Sequence, residues 1–199
     1  MSSLAEQLNA KKEKLHHSKT KVTSADGKSW IEDSHCNKIE NISTNNPGFV
    51  VDTKPDLRLT QILDRLIIGS QDVAHDLDLL NKHKITHILN VASGVVNLFE
   101  GWFTYKTKEA LDIPEYSILE IFDECCDFIY KTIKTGGCIL VHCNAGVSRS
   151  ASIIIAYLIK YYDMTFDEAF RFVKGKRSFI RPNEGFVEQL KTYEKKLNK

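Results

Sequence analysis

Residues 141–150 read VHCNAGVSRS. An apolar run stops at Cys143, and five small or polar residues then separate that thiol from Arg149. Such a stretch cannot pack a core. Its residue types suit another task, which is holding an anion beside a sulfur nucleophile. The elements on either side support this. CILVH, 138–142, reads as a short, fully buried strand, and an almost wholly apolar helix follows Arg149 to about Tyr162.

In an open α/β sheet, ligands bind beyond the carboxyl ends of the strands. The helix that starts there offers unpaired N–H groups and the positive end of its dipole. A short loop of small residues lets successive N–H groups curl around one centre as an anion nest. The backbone of Asn144, Ala145, Gly146, Val147, Ser148 and Arg149 is therefore the expected phosphate-binding loop, with Ala145 and Gly146 keeping side chains out of its centre. Arg149 adds a planar fork of donors that matches two phosphate oxygens. At the bottom of this cradle, Cys143 meets N–H groups, a helix dipole and a guanidinium, all of which favour the thiolate. His142 is expected to fix the Cys143 backbone through hydrogen bonds, and Ser150 to offer its hydroxyl to the departing thiolate. A lone Cys at a strand end is ordinarily a small core residue, and a lone His is ordinarily structural. The strand, the Cys-to-Arg spacing with a glycine inside it, and the helix together carry the catalytic reading.

Cleavage of a phosphate ester also needs a proton for the leaving oxygen. Glu109, Asp112 and Glu115 lie near the end of a strand candidate and are the available acids. An Asp in such a loop more often caps a turn or helix.

HCNAGVSRS resembles the signature HCxxGxxR[ST] of the cysteine-based protein phosphatases. IIGSQDVAHD, KITHILNVA, LDIPEYSIL and IRPNEGFVEQL extend the likeness to the small dual-specificity phosphatase domain over about residues 57–197. The resemblance implies that Asp112 is the general acid, with Glu115 the runner-up. It implies that Asn183 braces the phosphate loop, although Asn183 can equally cap the last helix. It further implies metal-free and cofactor-free chemistry through a phosphocysteine, and phosphorylated proteins as substrates. Many relatives act on mitogen-activated kinase pathway members. The core is short beside a classical tyrosine phosphatase domain, so a shallow cleft that admits phosphotyrosine, phosphoserine and phosphothreonine is implied. KKEKLHH, 11–17, is similar to a basic kinase-docking segment, but its apolar pair is incomplete and a solvated charged helix is the better expectation.

Two other readings compete. One is a phosphatase-like module that binds phosphoproteins or scaffolds kinases without turnover; its usual mark is loss of the Cys, the Arg or the acid, and all three are present. The other keeps the chemistry but takes a phosphoinositide or an RNA 5′-phosphate. Such pockets tend to carry Lys or Arg within the loop, and residues 144–148 contain neither.

The elements that must position this loop follow from periodicity. RLTQIL and RLIIG are strand candidates, 72–82 a helix, 85–91 a buried strand and 103–111 another strand. Helical spacing recurs over 118–135 and ends at Gly136-Gly137. Thr165 and Glu168 form a capping box, and a last helix runs from Asn183 toward Leu197. Strands alternating with helices predict an α/β fold, a central mostly parallel sheet flanked by helices, the dual-specificity phosphatase fold. By alternation Cys138 lies on the opposite sheet face from Cys143. Cys125 and Cys126 read as half-buried fillers on a helix, and Arg177 and Arg181 as exposed solvated charges, with substrate steering the alternative.

The chain has 199 residues, 42% of them apolar, and a formal charge of +1. That balance argues against a nucleic-acid-coating protein. Its five cysteines give neither a disulfide framework nor a zinc pattern, which fits reduced thiols and a cytoplasmic or nuclear setting. The N-terminal stretch lacks the apolar region of a secretory signal, and no run approaches a membrane span. Residues 1–55 read as an extension and 56–199 as the catalytic domain. Within the extension, Leu4, Leu8 and Leu15 mark one face of a short helix. Asp26-Gly27 sits at a hairpin turn, and NISTNNPG reads as a linker.

Overall fold

The protein is described from a computed structural model that covers residues 19–23, 29–33, 40–42 and 55–197. The chain divides into two units between Lys54 and Pro55. In the first, β1 (Lys19–Thr23), β2 (Ser29–Asp33) and β3 (Glu40–Ile42) pair antiparallel in the order β1-β2-β3. Thr23 pairs with Ser29, as a hairpin around Asp26-Gly27 requires; the turn itself lies outside the described residues. Asn41 and Ile42 do not begin a linker. They pair with Trp30 and Ser29 as part of β3, because ladder hydrogen bonds override the loop preference of Asn. The Leu4–Leu8–Leu15 face, KKEKLHH, Cys36 and the rest of the linker are outside the described residues.

The second unit holds a five-stranded sheet in the order β4-β5-β8-β6-β7. Its strands are β4 (Thr60–Leu63), β5 (Leu66–Gly69), β6 (His87–Asn90), β7 (Thr104–Thr107) and β8 (Ile139–His142). Only the edge strand β4 is antiparallel to its neighbour. The central β8 is flanked by β5 and β6, and its last residue His142 pairs with Gly69 on one side and Asn90 on the other. Three strand ends therefore stand level where the chain enters Cys143.

Helices α1 (Gln71–Ala74), α2 (Leu77–Lys82), α3 (Leu119–Lys134), α4 (Arg149–Tyr162), α5 (Phe166–Lys176) and α6 (Glu184–Leu197) complete the unit. The single helix expected over 72–82 is two. Ser70 caps the first and Asp76 the second, each side chain accepting backbone N–H groups, so the local capping chemistry breaks a continuous apolar stripe. The strand expected to Leu111 ends at Thr107. The Thr165–Glu168 capping box is formed.

Alternation in β8 sorts side chains between two cores. Ile139, Val141 and Cys143 enter the larger, with residues of α3 to α6, while Leu140 and Cys138 meet the smaller, with Val73, Ala74 and Leu80. Every residue of α4 from Arg149 to Ile159 is buried. The helix packs against α3, α5 and α6, and each buried Ile or Leu stabilises it by roughly 1.5–3 kcal/mol. The helix carrying Arg149 and Ser150 is thus anchored along its length. Cys125 and Cys126 are fully buried rather than half-buried, because α3 is covered by both α4 and α6. Among the described residues no helix is long and apolar enough to cross a membrane.

Candidate active site

The loop from Cys143 to Ser148 leaves β8 and enters α4, and its carbonyls are tied outward. The Asn144 carbonyl accepts from the Gln71 N–H at 3.0 Å, and that of Val147 from the Arg181 N–H at 2.9 Å. The Gly146 carbonyl accepts from Arg177 Nε at 2.9 Å and that of Ala145 from Arg177 Nη2 at 3.4 Å. Ser148 receives both the N–H and the hydroxyl of Ser152 at 2.9 Å. Carbonyls fixed outward turn the intervening N–H groups inward. No acceptor among the described residues takes the backbone N–H of Asn144, Ala145, Gly146 or Val147. The result is a concave set of donors at the head of a helix, suited to an anion.

Gly146 makes the turn at φ +67°, and a Cβ there would sit 2.6 Å from the Gly69 carbonyl oxygen and 2.7 Å from Arg177 Nη2. Only glycine fits that conformation and that space. A second glycine, Gly185, lets the start of α6 press against the backbone of Pro114, where a Cβ would collide with its carbonyl. This brings Asn183 to the acidic loop.

Cys143 is 2% exposed, with Sγ 3.3 Å from Ser150 Oγ. His142 is buried, its Nδ1 3.4 Å from the Cys143 carbonyl oxygen; burial pulls its pKa down to about 4, against that bond, so the ring is neutral. Arg149 is almost wholly buried. It donates to the Ala110 carbonyl at 3.0 Å and to Asn144 Oδ1 at 2.7 Å, while its Nε has no hydrogen-bond partner. The guanidinium is held by its tips with one edge left to serve a ligand.

Asp112 faces this edge, with Oδ2 3.5 Å from Arg149 Nε. Its other oxygen, Oδ1, accepts from the Ser148 hydroxyl at 2.7 Å and from Asn183 Nδ2 at 2.9 Å. Asn183 also makes two contacts besides that to Asp112. Its Oδ1 caps α6 through the Phe186 N–H at 3.0 Å, and its own N–H donates to Ser148 Oγ at 3.3 Å. Neither the Glu109 nor the Glu115 side chain hydrogen-bonds to this cluster. The structure therefore brings Cys143, Ser150, Arg149, Asp112, Ser148 and Asn183 together, with the loop backbone around them.

Two roles departed from the sequence reading. Ser148, expected to serve through its backbone, also uses its side chain to hold Asp112. Arg177, expected to be a solvated surface charge, is fully buried under the loop of residues 144–148. A basic residue in a polar run gives no periodic sign of burial, since its partners lie far away in the chain. Arg181 is exposed as expected, but its backbone N–H ties Val147.

Comparison with known proteins gives a consistent result. The family model "Dual specificity phosphatase, catalytic domain" matches residues 66–196. Dual specificity protein phosphatase 19 of Mus musculus is 46% identical over 200 residues, covering 98% of this chain and 91% of that protein. Dual specificity protein phosphatase 1B of Arabidopsis thaliana is 40% identical over 139 residues, 70% of this chain and 83% of that one. Among solved structures, the human tyrosine phosphatase-like serine/threonine/tyrosine-interacting protein superposes with a TM-score of 0.69 at 35% identity, covering 71% of this chain and 98% of that one.

Proposed function

The chain belongs to the dual specificity phosphatase family and is a dual-specificity protein phosphatase, a phosphoric monoester hydrolase; from that premise we propose how its own residues perform the reaction. Cys143 Sγ, as thiolate, attacks phosphorus in line with the ester oxygen of a phosphorylated side chain. The S–P bond forms as the P–O bond breaks. Asp112 supplies the proton to the departing oxygen from Oδ2, because Oδ1 is already occupied by Ser148 and Asn183. Water then attacks the phosphocysteine, Asp112 takes its proton, and the S–P bond breaks. The Ser150 hydroxyl donates to the returning thiolate. The N–H groups of residues 144–149 and the free edge of Arg149 hold the charge on the equatorial oxygens throughout, a contribution that is often the largest in such sites. Asn183 and Ser148 act as positioning residues, and neutral His142 holds the backbone of the nucleophile.

The single observation that carries this reading is the outward pinning of the loop carbonyls around a buried Cys143, with an Arg149 Nε that makes no hydrogen bond and the Asp112 carboxylate 3.5 Å from it. A binding module without turnover needs none of the acid placement. The substrates are phosphoproteins. Mitogen-activated kinase pathway members, a cytoplasmic or nuclear setting, and a catalytic domain over 56–199 with residues 1–55 as an extension complete the proposal. Hydrolysis of p-nitrophenyl phosphate near pH 6 in EDTA tests it. Wild type turns over, and Cys143→Ser does not. A freshly reduced wild type without turnover would shift the reading to phosphoprotein capture.

A further inference from the structure

Arg177 ends α5 and has a side chain with no solvent exposure. Its guanidinium carries five N–H donors, and five acceptors surround it. Nε serves the Gly146 carbonyl at 2.9 Å. Nη1 serves the Arg58 carbonyl at 2.7 Å and Thr60 Oγ1 at 3.2 Å. Nη2 serves Asp56 Oδ2 at 3.5 Å and the Ala145 carbonyl at 3.4 Å. Two of these acceptors belong to the phosphate loop and three to the segment 56–60.

That segment is fixed in turn. The Asp56 N–H donates to Asp72 Oδ2 at 2.9 Å, and the Ser70 hydroxyl donates to the Asp56 carbonyl at 2.7 Å. Both partners lie at the start of α1, whose Gln71 N–H holds the Asn144 carbonyl. Asp56 Oδ1 pairs with Arg58 Nε at 2.7 Å, and the guanidiniums of Arg58 and Arg177 lie 4.3 and 4.2 Å from the centre of the Phe179 ring. The family match begins at Leu66, so the acceptors at 56, 58 and 60 lie upstream of it.

We propose that Arg177, seated on the segment Asp56–Thr60, is a positioning residue for phosphate binding. It holds the Ala145 and Gly146 carbonyls away from the pocket so that the loop N–H groups face the substrate. The charge is offset by Asp56 on one side. Burial lowers the pKa of Arg177; the Asp56 charge works against that, the Arg58 charge adds to it, and Cys143 opposes it. The inference rests on the phosphatase reading for its purpose. Its geometry is independent of turnover.

The experiment is phosphate protection of Cys143 from iodoacetate in the full chain, followed by mass spectrometry, a readout that needs no catalysis. Arg177→Lys keeps a charge but offers three donors to five acceptors. It is expected to weaken protection by inorganic phosphate about tenfold, while the rate of alkylation without phosphate stays near that of wild type. kcat for p-nitrophenyl phosphate is expected to fall with it. Asp56→Asn and Thr60→Val leave Arg177 in place and keep the proposal testable if Arg177→Lys does not fold. Each is expected to weaken protection by about two- to fivefold. A folded Arg177→Lys with wild-type protection overturns the proposal. So does wild-type protection in both segment variants. A wild type that binds phosphate but does not turn over fails the phosphatase reading alone.

Discussion

Cys143 and the pair Cys125–Cys126 are about equally hidden from solvent, and all belong to the same core cluster. Their surroundings differ. Cys125 and Cys126 lie in α3 between α4 and α6, and burial pushes the Cys125 thiol up to about 12 and that of Cys126 well above its ordinary value. Cys143 stands at a strand end, facing a hydroxyl, a loop whose carbonyls are tied back, and the head of a buried helix. Burial alone makes a thiol inert. Burial beneath oriented donors is the setting in which Cys143 is proposed to act as the nucleophile.

The comparison breaks most sharply at the sulfur. Cys143→Ser should cost roughly 10,000-fold or more in kcat for p-nitrophenyl phosphate, measured in EDTA; turnover within tenfold of wild type would mean that the wrong cysteine environment has been singled out. Next comes Asp112→Asn, expected to lose roughly 100- to 10,000-fold on a phosphotyrosine peptide. The loss should be smaller on p-nitrophenyl phosphate, whose leaving group needs less protonation. Equal losses on the two substrates would argue against proton donation from this carboxyl.

Neutral, buried His142 sharpens the comparison from its other side. Its folded pKa of about 4 lies below the ordinary 6.5, so the unfolded chain binds the extra proton. Stability is fully present above pH 6.5 and is lost as pH falls toward 4, by about 3 kcal/mol from this residue. Partly buried His87 shifts in the same direction. Thermal unfolding across that window should show a shallower slope in His142→Gln than in wild type; identical slopes would refute the linkage. The smallest effect belongs to Cys125→Ala. Turnover should stay within about twofold of wild type, with a modest loss of stability from the smaller side chain. A large loss of activity at normal stability would give the inert thiol a role in the reaction.

Much of this was legible beforehand because it is local. The HCNAGVSRS run places Cys143, the loop donors and the Arg149 guanidinium on one strand–loop–helix connection. Short range also explains the Thr165 capping box and the parity that separates Cys138 from Cys143. What escaped was built from distant pairs. Arg177 reaches Arg58 and Gly146, far apart in the chain, and nothing in its polar neighbourhood marks it as buried. Ser148 reveals its contact with Asp112 only once Gly185 lets α6 approach Pro114. Cys125 and Cys126 are adjacent, so one helical stripe cannot cover both; two neighbouring helices can. The break between α1 and α2 was signalled by Ser70 and Asp76, but the spacing of Val73, Leu77 and Leu80 masked it.

The central claim is that Cys143, and no other cysteine, carries the phosphoryl group. The direct measurement is acid quenching of wild type during turnover of a phosphotyrosine peptide, followed by mass spectrometry of the cysteine-containing fragments. The account predicts a phosphorylated fragment containing Cys143, with the Cys125–Cys126 fragment unmodified and the adduct missing in Cys143→Ser. An adduct on another residue, or turnover with no adduct at Cys143 under conditions that preserve phosphocysteine, would contradict it.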